Sequence, residues 1–489
     1  MGSMEKPITD YDMIIVGAGI SGINAGYRVQ TELPNYSYTI LENRSAIGGT
    51  WDLFKYPGIR SDSDLHTFGF PWRPWAEPKA IADGAAIKNY VQESAEIYGI
   101  DKKIQFHHKL LAADWSSKEQ RWSLTVDAAG LETIFTARFV ILSTGYYDYN
   151  EPLKASIPGL DNFTGQVIHP QFWPTDLDYT GKKLVVIGSG ATAITLMPNL
   201  ADKAGSVTML QRSPTYVMAL PAVDPTGSWF KKWLPNRLAF KIVRWKFLIL
   251  PFLFFKFCRA FPNAARKIIR RRTEPLLPKG MSYDPNFTPR YNPWEQRLCI
   301  CPDGDFFKAL KKGNANVVTD NIKTVTETGI LTDNGTTLDA DIIITATGLK
   351  MQMAGGAALS IDGIPLKIAD KYLWQGMMLQ EVPNLAFVIG YTNASWTLGA
   401  DTTALHVCRL LKYMDSKKIA AATPQVSERE GLKVEPVLNL NSTYIEKAKG
   451  QLPKAGDRAP WKGRNNYLMD HWVASHGVLV RELELTKAN

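Results

Sequence analysis

Along the chain, short apolar runs stop abruptly at glycine and give way to stretches with helical periodicity. The run over residues 13–16 ends at Gly17, and the residues after Gly19 place apolar positions at helical spacing, which predicts strand, tight turn and helix. A second strand, YSYTILE, closes on Glu42. The same order recurs in KKLVVIGSGATAITL, followed by a strand in SVTMLQRSP that closes on Arg212. Two further runs, FVILSTG at 139–145 and DIIITATG at 341–348, read as buried strands ending in Gly turns that flank the second unit. QFHHKLLAADW reads as one strand, in which His107 and His108 point to opposite faces and cannot form a joint ligand pair. Residues 229–272 break the pattern: Trp, Phe and aliphatic residues interleave with Lys and Arg, as in a helical insertion.

The glycines carry the first chemical statement. Gly17, Gly19 and Gly22 form G-x-G-x-x-G between strand and helix, the context a dinucleotide-binding turn requires. Gly17 allows the tight turn, Gly19 lets the backbone approach a pyrophosphate, and Gly22 permits close packing of helix on strand. The N–H groups at the helix start, with Ser21 among them, would take the pyrophosphate. Glu42, 20 residues beyond Gly22, can accept hydrogen bonds from both hydroxyls of an adenosine ribose, which suits FAD or NAD. In the second unit Gly188, Gly190 and Ala193 give G-x-G-x-x-A, with Ser189, Ala191 and Thr192 on the same turn. Its partner strand ends at Arg212, 19 residues past Ala193, with Ser213 next. An acid there would repel a 2′-phosphate whereas Arg pairs with one, so this unit suits NADP.

The chain is therefore expected to be α/β, with two Rossmann-like dinucleotide-binding domains (FAD and NADP) and a helical insertion. Residues 1–150 are assigned to the first part of the FAD domain, and 151–224 to a linker and the first part of the NADP domain. Residues 225–300 form the insertion, 301–348 complete the NADP domain, and 349–489 return to the FAD domain and the C-terminal region.

Bulk properties narrow the class. At 489 residues the chain exceeds a single core, and 45% hydrophobic with 21% charged residues describes an ordinary globular protein. The start, MGSMEKPITDYD, lacks an apolar signal segment, and its Met-Gly-Ser reads as an expression scar. Four cysteines (Cys258, Cys299, Cys301 and Cys408) are too few for a disulfide framework and fit a reducing cytosol. The C-x-C of Cys299 and Cys301 has no second pair at zinc spacing, and no metal is expected. The net charge of +9 is local: residues 225–273 hold 13 Lys/Arg and no acid, leaving −4 for the rest (+9 less 13). Such a field suits an anionic membrane surface or a cofactor phosphate better than nucleic acid, for which no motif is present.

Between the two dinucleotide units, FTGQVIHPQFWP matches the F-x-G-x-x-x-H-x-x-x-W-[PD] fingerprint of type I Baeyer–Villiger monooxygenases. GGTWDLFKYPGIRSDSD, at 48–64, resembles that family's active-site loop. IRSDSD, VVIGSGATA, MLQRSPTY, YNPWEQRLC and GYTNASWTL are similar to the bacterial ethionamide-activating subgroup, and the resemblance runs from about Tyr11 to about Tyr467. It implies that NADPH reduces FAD, that O₂ adds at flavin C4a, and that the peroxide inserts one oxygen next to a ketone carbonyl, giving an ester or lactone. Sulfoxidation of thioethers or thiocarbonyls is the secondary expectation. The family's catalytic arginine aligns with Arg297, with Arg290 as the fallback, and its partner acid with Asp62, which would hold the guanidinium by a bidentate pair. Gly49, Thr50 and Trp51 would lie along the flavin, Arg60 and Ser61 would face the nicotinamide half of NADP, and the backbone of Leu110 would touch the adenine. Taken by local sequence alone, Trp51 and Leu110 read as core, SDSD as a polar turn, and Arg297 as a surface arginine.

Other readings are kept beside this one. An N-/S-oxygenating flavin-containing monooxygenase without ketone chemistry is the first alternative; Trp173 and Pro174 argue against it. A disulfide reductase needs a redox Cys pair after the first Gly-rich turn, and no cysteine precedes Cys258. A non-catalytic nucleotide sensor is a third class. His169, between Pro-stiffened positions in the fingerprint, reads as a hinge residue ahead of a general base. The insertion's longest uncharged apolar run is nine residues, too short to span a bilayer. A lid over the substrate site is the first reading of 229–272, and peripheral contact with anionic lipid the second.

Overall fold

The computed structural model describes residues 8–427, 431–438, 443–448 and 450–488. The Met-Gly-Ser start and the outermost ends of the first and last expected segments lie outside these residues.

The chain opens with β1 (Ile8–Val16), α1 (Ile20–Glu32) and β2 (Tyr38–Glu42), a βαβ unit whose strands pair in parallel from Met13↔Tyr38 to Val16↔Leu41. All five residues of β2 are buried, as expected for a strand covered on both faces. Two short helices, α2 (Thr50–Leu53) and α3 (Leu65–Phe68), then carry the loop at 48–64, and α4 (Gly84–Ile97) follows. The strand expected across both histidines is two strands. His107 takes a left-handed φ of 56°, so β3 (Ile104–Phe106) ends before it and β4 (His108–Ser116) begins after it. β3 pairs with β2, whereas β4 turns to pair antiparallel with β5 (Arg121–Ala128), and β6 (Leu131–Leu142) returns beside β1.

A second sheet is built from β7 (Gln166–Ile168), β8 (Lys183–Ile187), β9 (Ser206–Gln211) and later strands. The helix α5 (Ala191–Leu200) links β8 to β9. After β10 (Val217–Leu220) come three helices, α6 (Pro225–Trp233), α7 (Asn236–Ala260) and α8 (Pro262–Thr273), which make up the basic and aromatic stretch. β11 (Cys299–Pro302) pairs with β10, α9 (Asp305–Lys312) follows, and β12 (Ala315–Thr319) joins β9. A small antiparallel sheet, β13 (Ile322–Thr326), β14 (Gly329–Thr332) and β15 (Thr337–Asp339), precedes β16 (Ile342–Thr345). The five-stranded order is β12-β9-β8-β16-β7, all parallel.

The chain then crosses back. β17 (Ala358–Ile361) and β18 (Ile364–Pro365) extend the first sheet beyond β4, while β19 (Leu373–Trp374), β20 (Met378–Leu379) and β21 (Leu385–Phe387) attach to the end of β6. The result is an eleven-stranded sheet drawn from both sides of the five-stranded one. The long helix α10 (Trp396–Ser416) packs along α1, and Arg28 grips Asp401 with two hydrogen bonds of 2.8 and 3.0 Å. The fold is thus α/β with two Rossmann-like units. No helix among the described residues is long and apolar enough to cross a membrane.

Candidate active site

At the first Gly-rich turn, space explains the sequence. Gly17 has φ +102°, and a Cβ on it would sit 2.7 Å from the Ser143 carbonyl oxygen. A Cβ on Gly22 would sit 1.8 Å from the Gly17 carbonyl oxygen. Gly49 lies against this turn, its notional Cβ 3.1 Å from the Gly19 Cα. Gly19 caps α1 without a side-chain acceptor, and no acid occupies the helix's first turn, so its N–H groups suit an anion. Glu42, at the end of β2, accepts from the Ala18 N–H at 2.6 Å and from the Arg44 N–H at 2.8 Å. Burial raises its pKa, and those two hydrogen bonds oppose the rise.

Gly17, Gly19, Glu42 and Gly49 line a cleft of about 100 Å³ together with Leu110 and Ser143. Leu110 sits where β4 shifts register against β5, and the buried Ser143 hydroxyl has no hydrogen-bond partner among the described residues. An uncapped helix start, a carboxylate at the strand end and an unpaired hydroxyl fit an adenine dinucleotide. Ser21 is tied to α10, accepting from Trp396 Nε1 at 2.9 Å. The Thr50 hydroxyl accepts from Tyr147 Oη at 2.8 Å, and Trp51 packs edge-on against Phe68 at 5.6 Å.

The loop then turns into a cavity of about 830 Å³, lined by Asp62, Asp64, Phe254, Arg297, Asn393 and Tyr467 among others. Burial raises the pKa of Asp62, opposed by the positive charges of Arg297 and Arg60. Here the structure corrects the expected bidentate pair: no hydrogen bond or ion pair joins Asp62 to Arg297 among the described residues. Arg297 stands exposed at the cavity rim and donates to Ser63 Oγ at 3.2 Å, so its charge reaches Asp62 through space. Arg60 is drawn away from Asp62 by Asp305 at the start of α9, which it meets in a largely buried ion pair. Ser61 is buried, its hydroxyl donating to the Ser63 carbonyl at 2.8 Å. Arg290 is exposed and lies outside the cavity lining.

Three acids here were not legible as site residues. Asp64 caps α3, accepting from the Thr67 N–H at 2.8 Å and its hydroxyl at 2.7 Å; Thr67 in turn meets Ser395 Oγ at 2.6 Å. Burial pushes the Asp64 carboxyl up to about 6. Asp52 gathers Arg44, Lys88 (2.7 Å) and Lys55 (3.7 Å); burial would raise its pKa, but the Lys88 hydrogen bond and these charges bring it down. Asp305 is 245 positions from its partner Arg60. Only Asp64 left a local signal, an Asp three residues before Thr67 at a helix start.

At the second turn Gly188 has φ +135°, with its notional Cβ 2.3 Å from the Ala346 carbonyl oxygen, while the space around Gly190 is open. Ala191 and Thr192 start α5, which has no side-chain cap. Ser189 Oγ donates to the Ser213 carbonyl at 2.8 Å, tying the turn to the segment after β9, where Arg212 is exposed. The turn keeps its helix N–H groups open and has a cation at the adjacent strand end, as a 2′-phosphorylated dinucleotide requires.

His169 stands just past β7. Its Nδ1 accepts from the Gln171 N–H at 3.2 Å, and Gln171 Nε2 donates to the Asp148 carbonyl at 2.6 Å. Burial lowers the pKa of His169, opposed by the backbone of Gly348 on the return crossover. Phe163 and Trp173 pack on opposite faces of the five-stranded sheet, Trp173 in the core that also takes in Phe54 and Tyr56.

Comparison with known proteins agrees with this geometry. Residues 69–243 match the model of flavin-binding monooxygenase-like proteins, and residues 15–78 that of the NAD(P)-binding Rossmann-like domain. The chain is 50% identical over 461 residues to the FAD-containing monooxygenase EthA of Mycolicibacterium smegmatis, covering 94% of each chain. It is 46% identical over 470 residues to the probable FAD-binding monooxygenase AlmA of Acinetobacter baylyi, covering 96% of this chain and 93% of the relative. In fold it is similar to an oxidized steroid monooxygenase solved with NADP bound, at TM-score 0.74 and 22% identity, covering 98% and 100% of the two chains.

Proposed function

The chain belongs to the FAD-containing flavoprotein monooxygenases, and from that premise we propose that it oxygenates ketones, inserting one oxygen next to the carbonyl to give an ester or lactone. FAD and NADP(H) are its cofactors. The first Gly-rich turn with Glu42 would hold FAD, and the second with Arg212 would hold NADPH. When bound, the flavin supplies hydride acceptance and oxygen activation.

What supports the ketone reading is a half-buried carboxyl, Asp62, under the positive charges of Arg297 and Arg60 at an apolar cavity. Arg297 carries a guanidinium charge at the cavity rim, suited to a substrate oxygen that becomes negative. Asp62 would act as a positioning residue, coupled to the Arg297 charge through space. The Phe and Leu side chains of the cavity wall give the substrate an apolar surface beside that charge. The same cavity would admit thioethers and thiocarbonyls, so sulfoxidation is the secondary activity.

Gas-chromatographic product analysis on linear, cyclic and aryl ketones and on thioethers, with NADPH consumption recorded, tests the reading. Ester or lactone matching the NADPH consumed is expected. Arg297→Ala should keep flavin and NADPH binding and lose ester formation; normal turnover would remove Arg297 from the role. N- or S-oxides with no ester from any ketone would replace the reading with an N-/S-oxygenating one.

A further inference from the structure

We propose that the helical insertion seats this protein on an anionic lipid surface, and that the cavity takes its substrate from that surface. Large exposed apolar side chains are concentrated here. Nine of the 21 among the described residues lie between Trp229 and Ile268. On α7 the exposed residues Leu238, Trp245, Ile249 and Leu253 recur at intervals of 7, 4 and 4, which places them on one helix face. Trp229 and Trp233 on α6 and Phe261 at the junction of α7 and α8 add three exposed rings, each 59–66% exposed. A patch of this kind marks an interaction site, since scattered single residues would not share a face.

Charge identifies the occupant. Residues 225–273 hold 13 Lys/Arg and no acid, and Arg237, Lys241, Lys256, Arg259 and Lys267 stand exposed among the apolar residues. A second copy presenting the same patch would meet like charge, whereas an anionic bilayer complements it. Trp at the boundary and long basic side chains that reach back to headgroups suit a helix lying in the interface plane. α7 is about 37 Å long by its 25 residues, yet its nine-residue uncharged run is too short to span. Lying on the surface is the geometry left to it.

The same helices wall the cavity. Phe247, Phe252, Phe254 and Phe257 of α7 line it, while Leu250, Ile268 and Leu468 both line it and are exposed, which places its rim on the apolar face. A molecule dissolved in the bilayer would pass that rim without crossing water. The substrate class follows, resting on the function proposed above: a carbonyl or thioether carried on a hydrocarbon chain or ring system that partitions into lipid.

Flotation of the FAD-loaded protein with phosphatidylcholine vesicles, with and without phosphatidylglycerol at roughly 2:1, tests the surface. Binding should be at least about tenfold stronger with the anionic lipid and should fall when ionic strength approaches about 1 M. The double variant Trp245→Ser/Leu253→Ser alters exposed residues outside the cavity lining. It should keep FAD content and turnover of a short water-soluble ketone, lose vesicle binding at least about tenfold, and lose turnover of a long-chain ketone presented in anionic vesicles. No flotation with anionic vesicles, or equal flotation of wild type and double variant, overturns the proposal. So does concentration-dependent self-association abolished by the variant, since that makes the occupant a second copy. Anionic-vesicle binding lost in the variant, with NADPH oxidised but no ketone or thioether oxygenated, upholds the surface and overturns the substrate half.

Discussion

Asp64 offers a prediction whose size follows from its surroundings. Its carboxyl sits at the start of α3, facing the cavity, and burial lifts its pKa to about 6 from 3.8. The folded state therefore binds a proton more readily than the unfolded chain, so this group's contribution to stability is present below pH 3.8 and lost as pH rises through 6. A difference of about 2 units at 1.36 kcal/mol each is about 3 kcal/mol, and water in the open cavity screens it to about 1–3 kcal/mol. Asp64→Asn removes the titration yet keeps an equally good N-cap, since its amide oxygen can accept from the Thr67 N–H. The amide nitrogen can donate to the Thr67 hydroxyl, which can still donate to Ser395. Unfolding entropy of about 2.1 cal/mol/K per residue gives about 1 kcal/mol/K for 489 residues, so Tm should rise by about 1–3 °C at pH 8. At pH 4.5 most of that gain should vanish, because the wild-type carboxyl is then already protonated in the folded state. Scanning fluorimetry of the FAD-loaded protein at both pH values measures it. A gain of the same size at both would refute the burial argument and leave a simple packing effect.

Three further outcomes are expected. Arg212→Ala should raise KM for NADPH far more than for NADH in steady-state assays, through loss of a charge-assisted contact of about 1.5–3 kcal/mol; an equal rise for both would refute the 2′-phosphate assignment. Gly17→Ala forces a side chain into a backbone with φ +102° and to within 2.7 Å of Ser143, costing about 1–3 kcal/mol. It should purify with clearly less flavin, read from the ratio of 450 nm (about, for oxidised flavin) to protein absorbance. His169→Ala should slow turnover and release NADPH oxidation from product formation while leaving the pH profile in place, because burial favours the neutral imidazole. A shifted pH optimum would return His169 to the list of proton-transfer groups.

What could be read from the sequence was what local geometry enforces. Gly17 and Gly188 are required by positive φ and by a carbonyl within 3 Å of where a Cβ would go, so their spacing alone located both turns. The places of Glu42 at the end of β2 and of Arg212 just past β9 were legible because a parallel strand has one end, and that end faces the turn. Contacts between distant segments were not. Asp305 lies 245 residues from Arg60 and Asp401 lies 373 from Arg28, and nothing periodic connects such pairs. The break at His107 was hidden because a single left-handed residue leaves the apolar pattern on either side intact. The Asp62–Arg297 bond, not formed among the described residues, has a similar origin: a motif fixes which residues approach, and a nearby acceptor such as Ser63 Oγ decides which of them touch.

The interleaving of the two sheets also sets a timetable for synthesis. The five-stranded sheet is complete once residue 345 has been made, but the larger one waits for β17 to β21, and α1 waits for α10. At roughly 5–20 residues per second, the 373 positions between Arg28 and Asp401 take about 20–75 s to emerge. During that interval α1 stands without α10, and β4 and β6 without β17 and β21, exposing apolar surface that invites chaperones. A nascent chain stalled before α10 should therefore carry a folded five-stranded sheet beside an incomplete larger one.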